Sequence, residues 1–86
     1  MNFSQALESL KHGKVRVHRT GWNGKNMFLY LVPANHYPAQ TDIAKQEFGK
    51  IVPYGPYIAI KTSQGNVVPW LASQTDLLAD DWEVLN

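Results

Sequence analysis

The sequence predicts an α+β fold, a small antiparallel sheet of about four or five strands with an N-terminal helix packed on one face. Three observations predict it. The chain opens on a stretch with helical periodicity, several short alternating or β-branched stretches follow, and turn-forming residues separate them.

Phe3, Ala6, Leu7 and Leu10 recur at the i, i+3, i+4, i+7 spacing of an amphipathic helix. Asn2 or Ser4 can cap its start, and Gly13 stands where a helix ends in the left-handed conformation. Residues 14–19 alternate as a half-buried strand does. Asn23-Gly24 predicts a type I′ hairpin turn, with Trp22 opposite Lys25, Val17 opposite Tyr30 and Val15 opposite Val32. The returning strand, residues 27–32, is apolar on both sides: Phe28, Tyr30 and Val32 on one, Met27, Leu29 and Leu31 on the other. One side meets the helix, and a chain of 86 residues has little left to cover the second. That imbalance predicts a homo-oligomer.

Residues 33–56 read as the loosest region, holding four of the five prolines, one short helix over 41–48 stopped by Gly49, and a rigid aromatic loop over 50–56. A strand over 57–62 turns through 63–66 into another over 67–70. Ser73 and Asp76 have capping-box spacing and introduce a helical turn running through Ala79. Residues 82–85 close the chain as a short strand.

Residues 1–86 form a single domain, and a domain this small buries roughly 60–65% of the surface its unfolded chain exposes. There is no cysteine, and His12, His18 and His36 lack ligand spacing, so neither disulfides nor a metal are expected. No signal-peptide pattern and no membrane-length apolar run are present, which predicts a soluble cytoplasmic protein with no membrane partner. The net charge of +1 argues against binding a DNA or RNA polymer. Charge is unevenly placed. Residues 1–26 carry Lys11, Lys14, Arg16, Arg19 and Lys25 against Glu8, a net +4, while residues 71–86 carry four acids and no cation. The two segments are expected to pair in space, leaving some cations for a small anion.

Catalysis has little support. Asp80-Asp81 is the one adjacent carboxylate pair and reads as a solvated linker, Ser73 lacks a nucleophile-elbow context, and Gly21-Trp22-Asn23-Gly24-Lys25 is too short for a phosphate loop. Neither an enzyme nor a cofactor is expected. Binding fits better. Trp22, Trp70, Tyr54 and Tyr57 offer faces for a nucleobase, and Arg16, Arg19 and Lys25 offer charge. The turn at Ser73 offers backbone N–H groups, and Asn23, Gln74 and Asp76 offer hydrogen bonds. Trp82 reads as core, Trp22 as site, and Trp70 as either. A protein-binding subunit anchored by Trp22 and Trp70 is the rival to a nucleotide binder.

Three strings, Met-Asn-Phe-Ser-Gln-Ala-Leu-Glu at 1–8, Gly-Trp-Asn-Gly-Lys at 21–25 and Pro-Trp-Leu-Ala-Ser-Gln-Thr-Asp-Leu-Leu-Ala-Asp-Asp-Trp at 69–82, resemble the Thoeris anti-defense 2 family of small phage proteins. The resemblance runs nearly end to end and is poor over residues 33–56. It implies a molecular sponge in the host cytosol. Such a sponge binds 1″–3′ glycocyclic ADP-ribose, the cyclic ADP-ribose-type signal that a TIR enzyme makes from NAD, and keeps it from its effector. It also implies tetramers and, in some members, separate pockets for cyclic oligonucleotide signals. By motif match the ligand falls to Trp22 and Asn23 from the first site string and to Trp70, Ser73, Gln74 and Asp76 from the last, with Arg19 supplying charge beside them.

Overall fold

In the computed structural model, which describes residues 1–86, α1 (Phe3–Lys11) begins at a complete capping box. The Asn2 side chain accepts from the Gln5 N–H and the Gln5 side chain accepts from the Asn2 N–H, each at 2.9 Å. Gly13, at φ +71°, ends the helix in the conformation that only glycine adopts without strain. The helix buries Ala6 and Leu10.

The strands are β1 (Arg16–Arg19), β2 (Phe28–Val32), β3 (Asn35–Pro38), β4 (Ile51–Tyr54), β5 (Tyr57–Lys61), β6 (Val67–Pro69) and β7 (Trp82–Leu85). Two further helices are α2 (Asp42–Phe48) and α3 (Gln74–Leu78). Five strands form one antiparallel sheet in the order β6-β5-β2-β1-β7, with α1 packed against β1, β2 and β7. The expected α+β architecture is the one observed.

The β1–β2 turn departs from expectation. Val17 pairs with Leu29 rather than Tyr30, a one-residue shift from the register that a two-residue Asn23-Gly24 turn would set. The positive φ of this loop falls on Asn26, at 61°. A Cβ on Gly24 would meet the Met27 sulfur, so a larger residue there would have to displace the Met27 side chain. The core explains the shift. Val17 and Leu29 both reach 0% exposure beneath α1, joining Ala6, Leu10 and Trp82, with Ile58, Ile60 and Val84 packed around them. Phe28, Tyr30 and Val32 accordingly share the opposite face of the sheet, which no helix covers.

Residues 33–56 are more ordered than expected. In place of an aromatic loop, β4 pairs with β3 in a two-stranded ribbon. Pro38 and Pro53 are tolerated because a two-stranded ribbon consists only of edges. Thr41 caps α2, its hydroxyl accepting from the Ala44 N–H at 3.1 Å, and α2 packs on β4. These elements form an arm on a molecule 44 Å long and about 26 Å across, and they leave Ile43, Phe48 and Ile51 exposed.

Candidate functional site

The chain ends of the sheet meet at a corner built by α3, β7 and the loop after β1. Trp82, 1% exposed, is its centre. Phe3 of α1 packs at 5.3 Å, Trp22 meets it edge-on at 5.4 Å, and Trp70 edge-on at 6.1 Å. T-shaped contacts of this kind align the positive ring edge with a negative face. Trp22 and Trp70 remain only half-buried, so each keeps part of its ring toward solvent.

A polar network binds this corner from the outside. The Ser73 hydroxyl accepts from the Asp76 N–H at 3.0 Å and the Asp76 carboxylate accepts from the Ser73 N–H at 3.4 Å, completing the capping box of α3. Oδ1 of Asp76 also accepts from Arg19 Nη1 at 2.8 Å and from the Trp22 indole at 3.1 Å. The Trp82 indole donates to the Asp76 carbonyl at 3.0 Å. Arg19 then turns its Nε to Asp81 Oδ1 at 2.8 Å, while Asp81 Oδ2 accepts from the Gly21 N–H at 2.7 Å. One guanidinium thus bridges two carboxylates, as charge-assisted geometry favours.

The protonation states follow from these contacts. Burial opposes ionisation of Asp76, but hydrogen bonds from Arg19, Trp22 and Ser73 outweigh it and hold the carboxyl below the usual carboxylate range. The Arg19 hydrogen bond lowers Asp81 in the same way, helped by the Gly21 N–H. Bonds to Asp81 and then Asp76 raise Arg19 further. At neutral pH the triad is fully ionised.

Outside this network, Asn23 and Gln74 point their amides to solvent. Gln74 lines a hollow of about 310 Å³ with Leu77 and Leu78, and Leu78 is 79% exposed. The short α3 is therefore split, with its Asp76 side holding the corner and its outer side presenting an amide among apolar residues.

The uncovered face of the sheet gathers a second group. Arg16 stands over the Phe28 ring at 4.9 Å and Lys61 at 5.6 Å, both within cation–π range. Tyr30 lies 6.0 Å from Phe28. Two adjoining hollows of about 400 and 440 Å³ share Arg16, Phe28 and Lys61 as lining, and His18 lines the second.

Comparison with known proteins gives the family. The model of the Thoeris anti-defense 2-like domain matches residues 1–85. The chain belongs to the Thoeris anti-defense 2-like family. Among curated relatives, Thoeris anti-defense 2 of Bacillus phage SP01 is 41% identical over 86 residues, covering 100% of this chain and 96% of the relative.

In this family member the structure brings Arg19, Trp22, Ser73 and Asp76 into one bonded cluster, with Trp70 on the same aromatic core. Asn23 and Gln74 stand at its edge without side-chain hydrogen bonds. Asp81, which the sequence presents as part of a solvated linker, belongs to this cluster. Sequence reasoning missed the grouping of Arg16, Phe28 and Lys61, since the predicted register set Val17 rather than its neighbours opposite the even-numbered residues of β2. The expected pairing of the basic and acidic ends is observed in Arg19 with Asp76 and Asp81. Asp76 and Asp81 face one guanidinium, and no group of three or more His, Asp or Glu side chains converges.

Proposed function

We propose that this chain sequesters glycocyclic ADP-ribose without cleaving it, and so withholds the TIR-derived signal from its effector in the host cytosol. The observation that carries the reading is the end-to-end relationship to Thoeris anti-defense 2 of Bacillus phage SP01. The corner has the parts such a ligand needs. Trp22 and Trp70 supply partly open faces for the base. Asn23 and Gln74 supply amides for ribose hydroxyls, and Ser73, Asp76 and Arg19 hold the loop and α3 in place around them. A site fixed before its ligand arrives loses little entropy on binding, which suits tight capture. Asp76 and Asp81 are held ionised by Arg19, so neither carries a proton to give to a leaving group at neutral pH.

Calorimetry with glycocyclic ADP-ribose should show saturable binding. Heating the complex should then release the intact compound, identified by mass spectrometry and active again in signalling. Linear products growing with time and protein dose would replace the sponge with an enzyme.

The functional unit is proposed to be a homotetramer, its copies joined through the apolar end of the uncovered sheet face at Tyr30, Val32 and Tyr57. Tyr30→Glu should reduce the particle seen by light scattering to the 9.7 kDa chain. Leu29, buried beneath α1, is not a usable probe of this face.

One observation favours a second ligand. The cationic end of that face, with Arg16 and Lys61 over Phe28, matches a stacked base and phosphate, the chemistry of a cyclic oligonucleotide. Lys61→Ala should weaken binding of a cyclic dinucleotide and leave that of glycocyclic ADP-ribose unchanged.

A further inference from the structure

Asp81 is bonded to three consecutive residues at the end of β1 and in the loop after it. Its carbonyl accepts from the Thr20 N–H at 3.1 Å. Its carboxylate accepts from Arg19 Nε, the Thr20 hydroxyl and the Gly21 N–H, at 2.8, 3.4 and 2.7 Å. Three consecutive residues are therefore tied to one residue about sixty positions away in the sequence. The fit leaves no spare room: a Cβ on Gly21 would lie 2.6 Å from Asp81 Oδ2. Since Gly21 does not have a positive φ, a Cβ there would not strain the backbone but would have to displace the Asp81 carboxylate from its bonds. Trp22 and Asn23 follow directly, and Arg19 carries the restraint on to Asp76, which also holds the Trp22 indole.

We infer that Asp81 is a positioning residue for the ligand site, locking the loop of Trp22 and Asn23 to α3 through Gly21 and Arg19. The inference rests on the corner being that site. Asp81 does not touch the ligand. It fixes the pose of Trp22, and Gly21 is its matching socket. The two residues form one device, and disabling either end should have the same result.

The test is a double-mutant cycle of Gly21→Ala and Asp81→Ala, read by calorimetry with glycocyclic ADP-ribose and by the NMR resonance of the Trp22 indole N–H. Each single variant should weaken binding about tenfold or more, the scale of a hydrogen bond to a charged group. Each should also move the Trp22 resonance. The double variant should bind no worse than Asp81→Ala alone, because the collision disappears with the carboxylate. Asp80→Asn, which removes the same charge one residue away, should leave both readouts unchanged. If Asp81→Ala does not fold, Asp81→Asn keeps an acceptor for Gly21 and removes the charge facing Arg19. Independent, additive losses, or an unmoved Trp22 resonance in the Asp81 variants, would overturn the lock. A wild-type protein silent toward glycocyclic ADP-ribose would instead overturn the site and its ligand, while the resonance would still judge the lock.

Discussion

The corner around α3 and the arm of β3, α2 and β4 are held by opposite means. In the corner, aromatic rings close on Trp82 and a guanidinium binds two carboxylates, so the principal restraints join residues more than fifty positions apart in sequence. In the arm, a ladder of four register pairs and one short helix carry the order, and the larger apolar side chains Ile43 and Phe48 face solvent at 79% and 53% exposure. The corner is thus specified by packing and charge together, whereas the arm buries Val52 and Ala39 and leaves its larger aliphatic and phenyl side chains exposed. The long-range bonds that tie the corner together fall within the strings at 21–25 and 69–82 and their neighbours, and none of them reaches residues 33–56.

Substitutions can break that contrast. The largest effect is expected for Trp82→Ala, which deletes the centre of the aromatic cluster. Such a truncation costs about 3–5 kcal/mol, a large share of what a small domain has. Urea melts should show a chain largely unfolded or close to it. Trp22→Ala should be milder for the fold and specific for the ligand, removing a stacking face worth roughly 1–3 kcal/mol, about 5- to 150-fold in affinity. Calorimetry on a variant with near wild-type melting would separate the two effects.

Acid sharpens the contrast without mutation. Asp76 and Asp81 titrate below the ordinary value of 3.8 in the folded protein. Between the folded and unfolded values the unfolded chain binds more protons, so the stability these groups add is present above about pH 4 and is lost as pH falls through the folded values. All three tryptophans lie at the corner and none in the arm. Tryptophan emission should therefore shift in acid before the arm's Tyr37–Tyr54 contact is lost. At the small end, Phe48→Ser should change stability by no more than about 0.5 kcal/mol, as exposed substitutions do. A loss of several kcal/mol, read from the same melts, would mean that the arm is buried by another copy.

What the sequence disclosed was local. The cap at Ser73 and the end of α1 at Gly13 follow from neighbouring residues, and of the two caps the sequence offers for α1, Asn2 and Ser4, the structure uses Asn2. Trp82 as core was legible from its apolar strand context. The register of β1 on β2 was not, because Asn23-Gly24 is a strong local signal that the need to bury Val17 with Leu29 overrode. Asp81 was hidden for a related reason. Only the pairing of Arg19 with Trp82 across β1 and β7 brings that carboxylate to Gly21, and no short-range pattern encodes such a meeting. The β3–β4 ribbon was masked by its own prolines, which argue against a strand wherever the partner strands are unknown.

Val32 at the end of β2 and Tyr57 at the start of β5 are register partners. The arm therefore leaves the sheet and re-enters it at a single doorway, and everything between those two residues is an insertion into what would otherwise be a plain hairpin. An insertion of this kind can be excised, shortened or exchanged without altering any strand order, since the ends already stand side by side and loop-closure cost rises only slowly with length. The arm is thus the place for an engineer to graft a foreign peptide onto an unaltered sheet.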